Sequence, residues 1–146
     1  MDVAKIVLLM RLFGNKMIIG IDPSVNKSGI AVLEDGKLMK CFSAELWHLF
    51  DFVKENSTAK FYIENSNLDN KNWHGKTARG NVGKNKGVSQ IIVNYLTFLK
   101  ADYKELLPNG YSLRFKDEKL FQKVTGYDKQ TNKDARAAAC MIFGRK

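Results

Sequence analysis

Residues 17–42 read "MIIGIDPSVNKSGIAVLEDGKLMKCF", and this stretch decides how the fold begins. Its first five residues are apolar and rich in isoleucine, and Asp22 followed by proline stops them, so they predict a strand. Residues 29–42 predict a hairpin, because Asp35-Gly36 is a dipeptide favoured where both central residues of a turn take positive φ. The stretch therefore predicts three consecutive strands, the first of which ends on an acid.

Helices and strands alternate along the rest of the chain. A polar segment over 67–87, rich in Asn, Gly and basic residues, predicts a loop. The order of elements implies an α/β fold with a mixed sheet and helices packed on it. Residues 17–146 are predicted to form that domain. Strands are predicted over 59–64 and 111–115, and helices over 43–55 (with Ser43 as N-cap), 88–106, 117–124 and 132–143.

Residues 1–16 are predicted to be an extension ahead of the domain. The extension could form a short helix that packs on the body or on a second copy, or it could be upstream translated sequence, since Met17 is itself a credible start. Its apolar run is shorter than a membrane span of about 20 residues and is interrupted by Lys5 and Arg11. Neither a transmembrane helix nor a secretory signal is expected, and no membrane partner.

The composition points to a polyanionic partner. The 146 residues include 24 Lys and Arg against 15 acids, a formal net charge of +9. Nucleic acid is the commonest partner of such a chain, although a basic protein with no such partner stays the alternative. Cys41 and Cys140 lack metal-ligand spacing and lie in apolar surroundings. They predict buried free thiols and a cytoplasmic location.

Two acids stand at the ends of predicted strands. Asp22 follows the first strand and Glu64 ends the fourth. Ligands of open α/β sheets bind at the carboxyl ends of strands, so these acids could meet across the sheet. Carboxylates held that close repel each other unless a proton or a cation lies between them, and hard oxygen ligands favour Mg²⁺ or Mn²⁺. Taken singly, Asp22 also fits a turn before proline, and Glu64 a solvated strand end.

Three blocks of the chain together resemble the RuvC-type Holliday junction resolvases, and the phage-borne members more closely than the cellular enzyme. The blocks are "IIGIDPSVNKSGIAVL" (18–33), "FYIEN" (61–65) and "NKDARAAACMIFG" (132–144). The resemblance runs from Met17 to the C-terminus and implies an RNase H-like α/β fold, a mixed five-stranded sheet flanked by helices. It implies a homodimeric, metal-dependent endonuclease that binds four-way DNA junctions and nicks two strands symmetrically, leaving 5′ phosphates. A phage-encoded member would act in the bacterial host cell.

The resemblance also supplies the metal ligands. The family has an Asp after the first strand and a Glu ending the fourth, matched by Asp22 and Glu64. Its last helix carries two acids three residues apart. Asp134 matches the first, and Ala137 stands where the second is expected. Residues three apart share a helix face, so both acids of the family pattern would face the same two Mg²⁺ or Mn²⁺ ions.

Three explanations of Ala137 stay open. The first is an engineered inactive variant that binds its substrate without cutting it. The second is a natural variant that uses Asp134 alone on this helix. The third is a slipped register, in which Asp134 corresponds to the second acid and Thr131 to the first. The fold should survive the loss of one acid, because removing a carboxylate from a crowded cluster relieves repulsion.

Basic residues outside the acidic positions are candidates for DNA contact. Trp73 could stack on a base opened at the junction centre or pack on the protein body. The resemblance places Asn67 or Leu68 where related resolvases wedge into the junction. It also suggests Lys119 as the basic residue near the scissile phosphate, against a solvated helix face as the alternative. The proposed phosphate contacts are Lys71, Lys76, Arg79, Lys84, Lys86 and Lys116.

Two rival functions remain. A non-catalytic protein that binds branched DNA would share the fold and would account for a natural Ala137. A member of the actin and sugar-kinase class also opens with a strand, Gly and Asp, but it needs a longer chain and a second phosphate-binding loop. The sequence therefore favours a junction-resolving nuclease. Its expected dimer surface is the exposed face of the helix predicted over 88–106.

Overall fold

The computed structural model describes residues 2–13, 16–68, 76–110 and 116–146, without the side chains of residues 10, 11, 13 and 76–82. Five strands form one sheet in the order β3-β2-β1-β4-β5. The first three strands are antiparallel neighbours, whereas β4 runs parallel to both β1 and β5. The expected mixed five-stranded sheet is confirmed. The strands are β1 (Met17–Asp22), β2 (Ser28–Glu34), β3 (Lys37–Ala44), β4 (Lys60–Glu64) and β5 (Asp102–Leu106).

Helices cover both faces of this sheet. Five α-helices lie in the described residues, and a short 3₁₀ turn, Ser66–Leu68, follows β4. The helices are α1 (Val3–Phe13), α2 (Leu46–Glu55), α3 (Lys76–Phe98), α4 (Glu118–Thr125) and α5 (Lys133–Ile142). The last two helices are confirmed as predicted, since Asp117 and Asn132 cap their first turns through side-chain oxygens.

The side chains of the sheet divide into two apolar clusters because successive residues of a strand point to opposite faces. One face, here called the α3 face, packs Ile21 and Ile63 against α2 and α3. The other, the α5 face, packs Ile18 and Leu33 against α4 and α5. Both cysteines are buried and neither forms a disulfide, as predicted. The domain therefore has two cores with the sheet between them.

The hairpin prediction is confirmed, and the N-cap prediction beside it is wrong. Asp35 and Gly36 connect β2 to β3 with φ of 48° and 82°. The third strand continues past the predicted helix start, because Ser43 pairs with Gly29 in the β-ladder. Helix α2 begins at Leu46 with Glu45 at the N-cap position, where no side-chain hydrogen bond is made. Pairing with β2 outweighed the local capping preference of serine.

The helix predicted over 88–106 is wrong at both ends. Helix α3 begins at Lys76, inside the segment predicted to be a loop, and ends at Phe98. Lys100 takes a left-handed φ of 55°, and the amide of Ala101 donates to the Leu96 carbonyl at 3.0 Å. This arrangement is a Schellman motif, which usually contains glycine. Because this chain has a lysine there, the sequence gives no signal for the end of the helix.

The fifth strand is therefore formed by residues that were predicted to be helical. Asp102–Leu106 pairs in parallel with β4 along its whole length. The strand predicted over 111–115 falls outside the described residues. Because β5 lies at the sheet edge beside β4, its end comes next to Glu64, which is paired with Leu106.

The N-terminal extension contains a helix, α1, most of whose apolar side chains are exposed, Val3 at 72% and Leu12 at 64% among them. No helix in the described residues is long and apolar enough to cross a membrane. The division of the chain into residues 1–16 and 17–146 stays a prediction.

Candidate active site

Asp22 and Glu64 lie side by side at one end of the sheet. Strands β1 and β4 are parallel neighbours, and Ile21 is paired with Ile63. One residue further along each strand, the two acids leave the sheet at the same carboxyl edge. Alternation along the strands places both on the α5 face, because Ile21 and Ile63 belong to the α3 face. The sequence prediction that these two strand ends meet is confirmed by this register.

Asp134 reaches the same edge because helix α5 packs unusually close to the sheet. Gly29 is the β2 partner of Asp22, and a Cβ built on Gly29 would lie 2.0 Å from the Asp134 carbonyl oxygen. A Cβ on Gly20 would lie 2.5 Å from the Ala138 carbonyl oxygen. Two glycines on adjacent strands thus let the helix backbone rest directly on the sheet. The start of α5 is held against the backbone beside Asp22.

The electrostatic environment of Asp22 includes the charges of both other acids. The pKa of Asp22 is raised from 3.8 to about 8, mainly by burial and then by the charges of Glu64 and Asp134. The Lys133 ammonium lowers the Asp22 pKa, as the last of the four contributions. Burial also raises the pKa of Glu64. At neutral pH Asp22 therefore holds a proton unless further positive charge is brought to the site.

Asp22, Glu64 and Asp134 offer carboxylate oxygens, the kind of ligand that binds a divalent cation, but the three do not form one closed cluster. In the described residues, no group of three or more His, Cys, Asp or Glu side chains is placed to hold one metal ion. The Asp22 carboxylate nevertheless feels both other acids. Asp22, together with Glu64 or Asp134, would supply the carboxylate oxygens that hold a divalent cation. Carboxylate oxygens are the ligands that Mg²⁺ and Mn²⁺ prefer.

Comparisons with known proteins bear on the fold. No family model matches the chain, and no curated protein matches it significantly. Among solved structures it is similar to Thermus thermophilus RuvC in complex with a Holliday junction substrate, with a TM-score of 0.57 and 10% sequence identity over 87% of this chain and 90% of that one. It is also similar to another Thermus thermophilus RuvC structure, with a TM-score of 0.51 and 11% identity over 85% and 91% of the two chains.

The chain has a RuvC-like fold. Its mixed sheet and flanking helices match those neighbours, so the predicted RNase H-like fold class is confirmed. Identities of 10% and 11% speak for the fold alone. The roles of individual residues must therefore be argued from this chain's own geometry.

Ala137 lies one helical turn after Asp134 and is only 1% exposed. Its neighbours Ala135, Ala138 and Ala139 belong to the apolar cluster of the α5 face. Within the described residues, that cluster does not include Ala137. An acid at this position would be shielded from water. The assignment of Ala137 as a vacant ligand position stays a prediction.

The predicted DNA-contact residues divide into three groups. Lys84 is exposed and Lys86 partly exposed on the part of α3 that lies beside the end of β4. Lys116 is exposed, and its carbonyl accepts from the Arg136 guanidinium at 3.5 Å, which brings its segment to the first turns of α5. Lys71 and Trp73 fall outside the described residues, as do the side chains of Lys76 and Arg79.

Lys119 lies at the start of α4 with an exposed side chain. Its backbone amide donates to the Asp117 side chain at 2.9 Å, which caps the helix. No described contact joins its ammonium to the three acids, so its catalytic role stays a prediction. Lys133, one position before Asp134, is instead the lysine whose charge lowers the Asp22 pKa. Its adjacency to Asp134 was the sequence signal that could have revealed it.

The two candidates for a wedge residue differ in their environment. The side-chain amide of Asn67 donates to Asn65 Oδ1 and to the Lys86 carbonyl, both at 2.9 Å. Asn67 is thus tied to the protein framework. Leu68, at the end of the 3₁₀ turn, is 41% exposed and apolar. Both residues are exposed, and the assignment of either as the wedge stays a prediction.

Proposed function

We propose that this protein is a structure-selective, metal-dependent endonuclease that binds four-way DNA junctions and resolves them by paired nicks. One observation carries the proposal: Asp22, Glu64 and Asp134 come together at one edge of a RuvC-like sheet, where burial and mutual repulsion raise the Asp22 pKa to about 8. A site that keeps a carboxylate protonated at neutral pH in the absence of metal is a site that gains from binding cations. A structural neighbour, Thermus thermophilus RuvC, was solved with a Holliday junction substrate.

The three acids would divide the work by their positions. Asp22, whose carboxylate is affected by the charges of both other acids, would be a ligand of the two Mg²⁺ or Mn²⁺ ions, with Glu64 and Asp134 as the further ligands. Bound divalent cations supply the positive charge that activates water and stabilises the leaving oxygen in phosphodiester hydrolysis. Lys133 adds a fixed positive charge at the start of α5, where the phosphate of the substrate would lie.

The DNA would lie across the carboxyl edge of the sheet. Lys84, Lys86 and Lys116 would contact phosphates without reading the base sequence. Leu68, exposed beside Glu64, would be the apolar side chain that enters the open centre of a junction.

Symmetric nicking requires two such sites, so we infer a homodimer. Its surface would be the exposed side of α3, where Ile91 is 48% and Phe98 78% exposed.

If the proposal holds, the catalytic activity of the protein depends on the residue at position 137, which is an alanine in this chain. A fourth carboxylate here, three residues after Asp134, would face the same side of the helix. The absence of that carboxylate favours a second candidate function, a protein that binds junctions without cutting them. Both functions share the binding surface, and they differ in catalysis alone.

Cleavage of a labelled four-way junction in Mg²⁺ or Mn²⁺ distinguishes them. The chain and its Ala137→Asp form are compared, with Ala137→Asn as the control, since asparagine has the same size without the charge. We expect the Asp form to cut at least about 100-fold faster than the other two, which corresponds to roughly 2.7 kcal/mol of barrier.

Three other outcomes would change the conclusion. Equal cleavage by all three forms would show that position 137 is not a ligand position. Tight junction binding with no cleavage by any form would favour the non-catalytic protein. Equal affinity for a junction and for duplex of the same sequence would contradict structure selectivity.

A further inference from the structure

Asn65, the residue directly after Glu64, is a buried polar side chain with all its polar atoms in use. It is 2% exposed. Its Nδ2 donates to Glu105 Oε1 at 2.6 Å. Its Oδ1 accepts from the backbone amide and from the side-chain amide of Asn67, both at 2.9 Å. A buried amide with this many partners fixes the conformation of the segment that carries it.

The backbone of Asn65 is fixed as well. Its amide donates to the Leu106 carbonyl at 2.9 Å, and its carbonyl accepts from the Leu68 amide at 3.1 Å. Glu64, one residue earlier, is paired with Leu106 in the sheet. The end of β4 is therefore locked to the end of β5 by backbone pairing and by the Asn65–Glu105 hydrogen bond.

These contacts continue into helix α3. Asn67 Nδ2 also donates to the Lys86 carbonyl at 2.9 Å. The Ser89 hydroxyl approaches the Glu64 carbonyl at 3.5 Å. A continuous path of hydrogen bonds thus runs from Glu105 through Asn65 and Asn67 to the part of α3 that carries Lys84 and Lys86.

The path links two surfaces on opposite sides of the sheet. Glu64 points to the α5 face, where Asp22 and Asp134 lie. Glu105 is paired with Ile63, a residue of the α3 face, so its side chain and that of Asn65 meet on the other side. Asn65 lies between Glu64, an acid of the candidate site, and the residues that contact helix α3.

We propose that Asn65 is a positioning residue, which, with Glu105 as its partner, sets the place of the Glu64 carboxylate relative to the DNA-contact helix α3. The inference rests on the proposed nuclease function for the roles of Glu64 and α3. Glu105 then has a role of its own: it is an acid near the site that accepts a hydrogen bond from an amide instead of holding a metal.

A donor–acceptor swap tests the pair. Asn65→Asp keeps the size of the side chain and the acceptor used by Asn67, but it sets a second carboxylate against Glu105 Oε1 in place of the donor at 2.6 Å. Glu105→Gln alone keeps an acceptor oxygen for Asn65. The double variant restores one donor and one acceptor, because the new amide can donate to the new carboxylate. The matched control is Asn109→Asp, the same change at an exposed asparagine beyond β5.

The assays are single-turnover junction cleavage at saturating DNA, junction affinity in Ca²⁺, and the unfolding temperature of each variant. They use whichever parent cuts, the present chain or its Ala137→Asp form. A misplacement of about 1 Å costs roughly 100-fold in rate. We expect Asn65→Asp to lose about that factor in cleavage rate with less than a threefold change in affinity. The double variant should return to within about fivefold of the parent.

A merely structural role predicts a different pattern. In that case Asn65→Asp would lower the unfolding temperature, while the folded protein cut at the parent's rate, and this result would overturn the proposal. Failure of Glu105→Gln to rescue Asn65→Asp would overturn it too. Junction cleavage by the parent establishes the nuclease function separately from either result.

A readout that needs no activity separates the two proposals further. Hydrogen exchange at the amides of Asn67 and Leu68 reports the path directly, since these amides donate to Asn65 Oδ1 and to its carbonyl. Repulsion from Glu105 would displace the new carboxylate from the Asn67 amide. Faster exchange in Asn65→Asp, reversed in the double variant, therefore supports the path even if no form cuts DNA and the nuclease proposal fails. Unchanged exchange in Asn65→Asp overturns it.

Discussion

Gly29→Ala should separate the position of Asp134 from the stability of the fold. The added methyl carbon would lie 2.0 Å from the Asp134 carbonyl oxygen, 2.4 Å from its carbonyl carbon and 2.9 Å from the Ala135 nitrogen. A carbon and an oxygen in close contact lie about 3.3 Å apart. The start of α5 must therefore move away from β2 by roughly 1.3 Å. The φ of Gly29 lies outside the left-handed region, so the effect is steric and not conformational.

This displacement has two separable consequences. Overpacking against a helix backbone costs about 1–3 kcal/mol of stability. Moving Asp134 by more than 1 Å from Asp22 should lower the cleavage rate about 100-fold. The control is Gly83→Ala in α3, where the new methyl meets nothing within 4 Å. That variant should keep its cleavage rate and gain up to about 1 kcal/mol of stability, because alanine favours a helix over glycine.

The assays are thermal unfolding and junction cleavage well below the unfolding temperature, in the parent that cuts. Cleavage by folded Gly29→Ala at the parent's rate would refute the idea that close packing of α5 positions Asp134. Equal loss of activity in Gly83→Ala would show that the assay reports a general response to substitution.

Three further predictions concern charge and exposure. Without metal, folded Asp22 holds its proton up to about pH 8 whereas the unfolded chain releases it near 3.8, so stability should fall as the pH rises through this range. Asp22→Asn should make that fall shallower and leave the part that comes from the raised pKa of Glu64, and a curve equally steep in both proteins, measured by urea unfolding, would contradict the assignment. Leu68→Ala should weaken junction binding about tenfold, the worth of one buried leucine, and leave duplex binding unchanged; equal loss on both DNAs in a gel-shift titration would exclude a junction-specific role. Lys84→Gln and Lys86→Gln, made one at a time, should each reduce the slope of log affinity against log salt concentration by about 1. An unchanged slope would show that the substituted lysine does not contact DNA.

Features that depend on residues close together in sequence were predicted more accurately than features that depend on residues far apart. The turn at Asp35-Gly36 depends on a few neighbouring residues and was predicted correctly from them. The boundaries of α3 and β5 were not. Lys100 ends the helix in a left-handed conformation, which the sequence does not indicate because lysine rarely adopts it. Strand β5 gains its hydrogen bonds only from pairing with β4. Tertiary pairing overrode the helical pattern of residues 102–106.

By itself, the sequence determined which residue types were available for chemistry: acids after two strands, one acid on the last helix, and an alanine three residues later. Tertiary structure decided what those residues do to one another. Strand register set Glu64 beside Asp22, and Gly29 let the helix carrying Asp134 approach them. The raised Asp22 pKa exists only in the folded chain, because burial and neighbouring charge come from residues distant in sequence. For the same reason Asn65 looked like an ordinary polar residue until Glu105, 40 positions away, was found at its amide.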